Sequence, residues 1–276
     1  MLLGTKGGPA IRPGGPMPTS SLLVIGGRVC VVDCGLGVTR GLVEAGVSLK
    51  ALDLVFVTHL HSDHVLELGP LLHTAWTSGL ATPVAVWGPV GTRAVWDGFL
   101  ASMAYDVAVR IEDEGRPDLA ALVTVEEFGE GPLPVEGLAV AALRVDHPPV
   151  AECYALRFDG PSWSVCFSAD TAAFPPLAGF ARGADVLVHE AMLARGVDRL
   201  VARTGNGARL KAHIERSHTE AADAAALAAE AGVGRLVLHH LVPADDPGIG
   251  EADWLAACAA FPGEVVVGRD GLGLRP

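Results

Sequence analysis

The sequence lacks several features that would assign a protein to a class at once. Its five cysteines include no Cys-x-x-Cys pair, which favours buried free thiols in a reducing compartment over a disulfide framework. No stretch approaches the roughly 20 unbroken apolar residues of a membrane helix, and the Gly- and Pro-rich start is not typical of a signal peptide. These absences predict a cytoplasmic, soluble protein without a membrane partner.

Positive charge and aromatic side chains are also scarce. The 276 residues carry 32 Asp and Glu against 20 Lys and Arg, which gives a net charge of −12. General nucleic-acid and anionic-membrane binders need a broad positive surface. The composition therefore argues against both classes and leaves room for a local basic pocket. Because the chain is long and half hydrophobic, it can bury a large core, and we expect one domain over residues 1–276.

The order of strand and helix patterns indicates an α/β protein. The stretch "SSLLVIGGRVCVVDCG" predicts a hairpin with a Gly-Gly turn, whereas residues 106–137 mix acidic residues with Gly and Pro and are expected to be irregular with strand pieces. The stretch "HTEAADAAALAAEAG" predicts a helix capped by Thr219 or Ser217 and ended at Gly232. Strands come first in hairpins and then alternate with helices, twice over. This order indicates two mixed sheets covered by helices, in layers.

Side chains that commonly bind metals follow five separate predicted strands. Ligands in α/β proteins gather at strand ends, where loops converge. Four ionisable side chains directly after the apolar run "LVFV" would be expensive to bury without compensation, unless the cluster lay in open solvent. Imidazoles and carboxylates without thiolates suit zinc better than manganese or iron. The residues concerned are His59, His61, Asp63, His64, His147, Asp170, His189, Glu190 and His240.

The spacing within the first cluster predicts how it divides between two ions. In an extended segment, residues i and i+2 point to the same side, so His59 and His61 can bind one ion. Asp63 and His64 come after the turn and can face a second ion. Two divalent ions about 3.5–4 Å apart would share a hydroxide and hold a substrate for in-line displacement. The pattern therefore predicts a dinuclear metal-dependent hydrolase.

The same residues carry a resemblance to a known family. "THLHSDH" resembles the signature of the metallo-β-lactamase superfamily, and "FSADT", "LVHEA", "SHTEAADAA" and "LVLHHLVP" resemble segments of its ribonuclease Z and phosphodiesterase branch. The resemblance implies a four-layer αβ/βα sandwich of two mixed β-sheets, with the site at one edge between the sheets. It implies His59, His61 and His147 on one ion. It also implies Asp63, His64 and His240 on the other ion, with Asp170 bridging both.

The resemblance also implies roles outside the ligand set. Glu190 and His218 resemble the branch's pair beside the leaving group, where the carboxylate keeps the imidazole protonated so that it can protonate the departing oxygen. Asp63 is also the candidate proton acceptor from the attacking water. His240 is preferred to His239 because alternation points neighbouring side chains to opposite faces.

Several further residues near the expected site have predicted structural roles. Asp33 is expected to support the metal loop through hydrogen bonds, and His189 to be a buried, hydrogen-bonded histidine. Two other histidines, His73 and His213, are treated as ordinary. The family usually has Gly before the bridging aspartate, and the methyl group of Ala169 could crowd that loop and change its backbone dihedrals.

A second difference from the family pattern predicts the class of substrate. In ribonuclease Z a long arm that grips tRNA lies between the third-histidine and aspartate segments, whereas "YALRFDGPSWSVCFSAD" closes this interval with a short hairpin. With the acidic net charge, the missing arm argues against tRNA and predicts a small anionic or ester substrate, such as a phosphodiester or sulfate ester. Three alternatives stay open: hydrolysis of a lactone, thioester or β-lactam, tRNA 3′ processing, and non-catalytic metal binding. A homodimer is expected by analogy alone.

Two groups of side chains near the expected site could serve either substrate or structure. Cations before His218 could bind an anionic substrate through bidentate contacts or could form a solvated basic face. Large aromatics could line an apolar pocket, although core packing is the preferred interpretation. The cations are Arg195, Arg199, Arg203, Arg209, Lys211 and Arg216, and the aromatics are Trp76, Trp87, Trp96 and Phe99.

Overall fold

The structure, a computed structural model, describes residues 1–275 and contains two β-sheets. The first sheet has six strands in chain order, β1 (Leu2–Gly4), β2 (Ser20–Ile25), β3 (Arg28–Val32), β4 (Leu52–Phe56), β5 (Val84–Pro89) and β6 (Val123–Phe128). The second sheet has seven strands in reverse chain order, β13 (Glu264–Val267), β12 (Arg235–Val242), β11 (Val186–Met192), β10 (Ser164–Phe167), β9 (Tyr154–Asp159), β8 (Ala139–Arg144) and β7 (Gly131–Leu133). Both sheets combine parallel and antiparallel pairs.

The helices are distributed between the two halves of the chain. The first half contains α1 (Val38–Glu44), α2 (Ser62–Val65), α3 (Leu68–Thr77), α4 (Thr92–Ser102), α5 (Ala104–Glu114) and α6 (Leu119–Leu122), with a 3₁₀ turn at Leu49–Ala51. The second half contains α7 (Pro176–Phe180), α8 (Ala194–Thr204), α9 (Gly207–Ser217), α10 (Ala221–Ala231) and α11 (Glu251–Ala257). Among residues 1–275, none of these helices combines the length and apolar character needed to cross a bilayer.

Three large cores separate four layers. Side chains of the two sheets meet in a central core, where the Phe56 and Phe158 rings form an edge-to-face pair with centroids 5.0 Å apart. On the outer face of the first sheet, Leu72 and Trp76 of α3 lie in a second core. A third core on the outer face of the second sheet contains Trp254 of α11. The predicted four-layer αβ/βα sandwich is therefore confirmed.

Strand β4 explains why the sequence before the histidine cluster is a continuous apolar run. Leu54 and Phe56 face the central core, whereas Val55 and Val57 face the helices. Because β4 lies between two parallel neighbours and both faces are covered, the four positions from Leu54 to Val57 are all apolar. His59 therefore lies just beyond the end of a central, fully covered strand, at the edge of the sandwich.

Two local predictions differ from the structure. Residues 104–114 form α5 and are not irregular; none of its side chains is buried, so its acidic composition belongs to a solvated helix supported by ion pairs of Arg110 with Asp106 and Glu114. Neither Thr219 nor Ser217 caps α10, whose N-cap is Glu220. Both hydroxyls instead donate to backbone carbonyls, at Thr171 and Pro148.

Other local predictions are confirmed. The turn between β2 and β3 consists of two glycines with φ of +58° and +86°, and Gly232 ends α10 in the left-handed conformation.

Candidate metal centre

The ligand-type residues predicted from the sequence, except His189, converge at one edge of the sandwich. They form three groups, and within each group one atom per residue lies within 4.8 Å of the others. The groups overlap, because Asp170 belongs to the first two and His240 to the last two. The groups are His59, His61, His147 and Asp170; Asp63, His64, Asp170 and His240; and Glu190, His218 and His240.

The first group brings together three distant parts of the chain. His147 Nε2 lies 3.1 Å from His61 Nδ1 and 3.8 Å from Asp170 Oδ2. His59 Nε2 lies 3.7 Å from the same carboxylate oxygen. Three imidazole nitrogens and one carboxylate therefore face a common point.

The second group shares that carboxylate. His240 Nε2 lies 3.1 Å from Asp170 Oδ2 and 3.2 Å from Asp63 Oδ2. His64 Nε2 lies 3.3 Å from the other oxygen of Asp170, Oδ1. Asp170 thus offers its two oxygens between the two groups, as a bridging ligand would.

Unsatisfied buried atoms test whether the site fits metal ions. Among the described residues, His59 Nε2, His64 Nε2 and Asp170 Oδ1 have no hydrogen-bond partner although all three are buried. Leaving such atoms unpaired costs free energy, and nearly all buried polar groups in proteins are satisfied. All three atoms point into the cluster and are of types that bind divalent cations. The site is therefore suited to a dinuclear metal centre.

Hydrogen bonds behind the cluster fix the orientation of its histidines. His64 Nδ1 lies 2.8 Å from Asp33 Oδ2, and the Asp33 carboxylate also accepts the Thr58 backbone N–H at 2.8 Å. His147 Nδ1 donates to the Ser217 carbonyl at 2.9 Å. Such contacts leave the opposite ring nitrogen free to bind a metal. The predicted supporting role of Asp33 is confirmed at the level of its hydrogen bonds.

Burial and neighbouring charges shift the pKa values of the cluster's histidines in opposite directions. Burial lowers the pKa of His240, but Asp170 and Asp63 more than offset this and raise it to about 10. Burial, with help from His64, holds the pKa of His59 well below its ordinary value. Divalent cations compete for the same nitrogen and oxygen atoms as protons, so metal binding would release protons from His240.

A one-residue bulge separates the two adjacent histidines of β12. Glu190 pairs with His239 and Ala191 with Leu241, so His240 is the extra residue, with φ of +42°. His239 Nε2 donates to the Gly4 carbonyl at 2.9 Å, away from the cluster. The structure thus places His240, and not His239, among the ligand-type residues.

The third group contains the expected acid pair. Glu190 Oε2 accepts from His218 Nδ1 at 2.8 Å, and its other oxygen accepts the Thr171 N–H at 2.6 Å. Burial lowers the pKa of His218, but the Glu190 carboxylate outweighs this effect and raises the pKa above its ordinary value. The His218 ring stacks on His240 with centroids 5.3 Å apart. This imidazole is therefore held beside the metal cluster and favoured in its charged form.

A cavity of about 310 Å³ opens onto the cluster. One wall carries His61, Asp63, Asp170, His218 and His240. The rest of the lining, which we call the facing wall, is more apolar. It consists of side chains from α8 and α9 together with the loop of residues 6–12. Its main members are Lys6, Gly7, Gly8, Pro9, Ala10, Arg12, Leu200, Thr204, Leu210, His213 and Ile214.

Sequence reasoning missed His213 and Lys6 as cavity residues. His213 was treated as ordinary, yet its ring lies 6.3 Å from those of His61 and His218. Helical spacing could have found it, since Leu210 and Ile214 on the same helix share its face. Nothing in the sequence indicated that Lys6 lies beside the metal cluster.

The cations proposed as substrate contacts pair elsewhere. Arg195, Arg199 and Arg203 contact Asp253, Asp246 and Asp245 at 2.6, 2.7 and 3.0 Å. None of the six cations lines the cavity. The structure therefore favours the alternative interpretation, a solvated face.

The two remaining histidines and the large aromatic residues have structural roles. His73 pairs with Asp106 at 2.8 Å, and His189 Nδ1 donates to the Glu190 carbonyl at 2.7 Å while fully buried. The four aromatics proposed for a pocket pack in the cores.

Ala169 adopts the conformation that its usual glycine would favour. Its φ is +57°, in the left-handed region, which costs an alanine roughly 1–2 kcal/mol. The methyl group packs against the core under the second sheet. The loop before Asp170 thus tolerates the methyl group, with strain at a single residue.

Comparison with known proteins places this geometry in a family. The sequence pattern described as "Beta-lactamase superfamily domain" matches residues 28–241, which include every member of the three ligand groups. The chain belongs to the metallo-β-lactamase superfamily. Within this superfamily it is 35% identical to a protein named Ribonuclease Z from Mycobacterium bovis (strain BCG / Pasteur 1173P2), over 98% of the chain and 95% of the relative. It is 37% identical to the Ribonuclease Z of Mycobacterium sp. (strain KMS), over 98% of the chain and 93% of the relative.

Solved structures show the same metallo-β-lactamase fold. The metallo-beta-lactamase fold protein YhfI from Bacillus subtilis superposes with a TM-score of 0.71 at 23% identity, covering 98% of this chain and 96% of that one. Human tRNase Z, short form, superposes with a TM-score of 0.67 at 20% identity, covering 99% and 96%.

The relatives overturn the expectation of a small substrate and the argument against tRNA. Strands β9 and β10 are joined by the short hairpin read from the sequence. However, the relatives named Ribonuclease Z align over nearly their whole length, so they too leave no room for a long additional arm. The missing arm therefore does not separate a small substrate from tRNA. The net charge of the chain was equally uninformative, because it does not exclude a local cation such as Lys6, which lines the cavity.

Proposed function

We propose that this protein is a metal-dependent endoribonuclease that hydrolyses a phosphodiester bond on the 3′ side of tRNA precursors, acting as a single hydrolase domain. The observation that carries the proposal is its 35–37% identity, over nearly its whole length, to relatives named Ribonuclease Z. Of the alternatives read from the sequence, tRNA 3′ processing is the one that this similarity favours.

The proposed centre holds two zinc ions. His59, His61 and His147 would hold one ion, Asp63, His64 and His240 the other, and Asp170 would bridge them. Imidazole and carboxylate donors without thiolate support zinc over softer or harder metals. When bound, two such ions supply activation of a water molecule and neutralisation of charge on the phosphoryl oxygens.

The chain's own side chains would move the protons. Asp63 Oδ2 accepts the Gly8 N–H at 2.7 Å, which orients the carboxylate that would take a proton from the attacking water. Glu190 keeps His218 oriented and charged, so that its free nitrogen can donate a proton to the departing ribose oxygen. Asp63 and His218 both line the cavity, so one phosphodiester bound there could contact both groups.

The cavity supports a single-stranded end as the reacting segment. Its volume of about 310 Å³ is on the scale of one nucleotide, whereas a base-paired stem is far wider. Single-stranded ends can place their unstacked bases and phosphates in such pockets, which helical RNA cannot do. The base-paired stem of the tRNA precursor would therefore stay outside the cavity, and its single-stranded 3′ end would enter the cavity.

Cleavage of a synthetic tRNA precursor tests the proposal. Zinc-loaded protein is expected to release the 3′ trailer in one endonucleolytic cut, as read by gel electrophoresis and end mapping. His61→Ala should lose at least one ion, by elemental analysis, and nearly all cleavage, because it removes a ligand of the first group.

Controls separate failure of the enzyme from failure of the assignment. Both proteins are assayed for zinc per chain, folding by circular dichroism, and turnover of bis(p-nitrophenyl) phosphate. An intact precursor in the presence of fully loaded protein that turns over the small diester would refute the endoribonuclease proposal.

A further inference from the structure

Lys6 is a buried cation that the proposed chemistry does not use. The residue is only 4% exposed, and its Nζ donates to the Gly7 and Gly8 carbonyls, each at 3.0 Å. Within residues 1–275, no carboxylate oxygen lies within 4.0 Å of this ammonium group. Buried lysines are rare unless paired with an anion, because desolvating an unpaired charge is expensive.

The other strong cation on the cavity wall is already paired. Arg12 Nε contacts the Asp245 carboxylate at 2.7 Å. Since an ammonium group has three donors and Lys6 uses two on backbone carbonyls, one donor is left. Lys6 thus offers positive charge and a free N–H in a cavity that also holds the metal cluster.

Backbone contacts fix Lys6 beside that cluster. The Leu241 N–H donates to the Thr5 carbonyl at 2.9 Å, and the Gly7 N–H donates to the Leu241 carbonyl at 3.1 Å. A Cβ atom on Gly7 would lie 2.7 Å from His240 Cε1, so the loop rests directly on this imidazole. Lys6 is therefore held by the strand that carries His240, rather than by a free loop.

We propose that Lys6 binds a nonbridging phosphate oxygen of the RNA in the cavity, as a specificity-determining residue of the proposed reaction. The choice of RNA as the ligand rests on the proposed function, whereas the position of Lys6 in the cavity rests on the structure. The carboxylates of Asp63 and Asp245 attract the ammonium group only from beyond 4.0 Å, so a phosphate would supply a direct counter-charge, and the low dielectric of a buried site would strengthen that attraction. Burial lowers the pKa of Lys6, so an incoming anion also favours its charged form.

The test compares Lys6→Met with Lys50→Met in zinc-loaded protein. Methionine retains the length and apolar stem of lysine, and Lys50 is an exposed lysine outside the cavity, so both variants lose one charge. Lys6→Met is expected to raise the KM for the tRNA precursor about tenfold or more, with a smaller change in kcat, whereas Lys50→Met should match the parent. The slope of log KM against log salt should also fall by about 0.7–0.9, the value for one lost phosphate contact.

A binding measurement makes the inference independent of RNA cleavage. Calorimetric titration of inorganic phosphate should give about tenfold weaker binding for Lys6→Met than for Lys50→Met, with Lys6→Arg intermediate. Unchanged phosphate affinity and salt slope in a folded, zinc-loaded Lys6→Met protein would overturn the assignment. If phosphate binding depends on Lys6 but the precursor stays intact, the endoribonuclease proposal fails while the anion site stands.

Discussion

The two walls of the cavity are built in different ways. The metal wall consists of His61, Asp63, Asp170, His218 and His240, and two histidines behind it, His64 and His147, are oriented by hydrogen bonds to Asp33 and to the Ser217 carbonyl. The facing wall consists of the loop of residues 6–12 and of helices α8 and α9, and the two helices pack around a small separate core that includes Val197 and Ile214. Under the proposed function, we expect the metal wall to govern bond cleavage and the facing wall to govern substrate choice.

The largest expected effect concerns the metal wall. His218→Ala should keep both ions and slow kcat by roughly 10²–10⁴ for substrates with poor leaving groups, because it removes the proton donor. Rates are measured with a series of aryl phosphodiesters and zinc content by elemental analysis. Equal losses for good and poor leaving groups would contradict the acid role.

Glu190→Gln sharpens the same prediction through pH. Because the carboxylate raises the pKa of His218, the neutral amide should lower it. The charged imidazole would then lose its proton at lower pH, so the basic limb of the kcat profile should move to lower pH. A profile that keeps its basic limb would show that another group controls it.

The facing wall should respond in a different parameter. Ile214→Ala removes apolar surface from the cavity, so we expect KM for the tRNA precursor to rise about fivefold, equivalent to about 1 kcal/mol of lost burial. Metal content and the pH profile should not change. Leu255→Ala on α11, outside the cavity and 39% exposed, is the matched control. Loss of zinc in the Ile214→Ala variant would show that the facing wall also affects metal binding, which contradicts separate roles for the two walls.

The smallest effect concerns strain under the metal wall. Ala169→Gly should raise the free energy of unfolding by up to about 1 kcal/mol, because relief of the left-handed alanine is partly offset by the freer unfolded chain. Ala172, in the same loop, does not have a positive φ. Ala172→Gly should therefore destabilise the protein, and chemical denaturation of both variants decides the sign.

The sequence predicted the metal wall well and the facing wall poorly, for physical reasons. Ligand-type residues after apolar strands can meet where the strands end, so strand positions, together with the family resemblance, predicted that His59, His147 and His240 lie close together. The facing wall depends on how a loop folds back and how two helices dock, and no periodic pattern encodes either. Lys6 and His213 were therefore missed.

Misleading local signals have similar causes. The stretch that forms α5 looked irregular because its many acidic residues obscured the few apolar positions, of which Val107 and Ile111 pack against the core beside the first sheet. The hydroxyls of Ser217 and Thr219 looked like caps because only tertiary structure reveals that they bind distant carbonyls. Substrate class was misjudged because a missing insertion says nothing about what the remaining cavity accepts.

The bulge in β12 links the two walls mechanically. On one side of the extra residue, His239 bonds to β1; at the bulge, His240 enters the metal cluster; immediately beyond it, Leu241 pairs with the segment that carries Lys6. Three consecutive residues thus connect the N-terminal strand, the second group of ligand-type residues and the segment that carries Lys6. Any shift in that short stretch would displace the proposed reactive centre and the proposed substrate anchor together, so variation in one would have to be accommodated by the other.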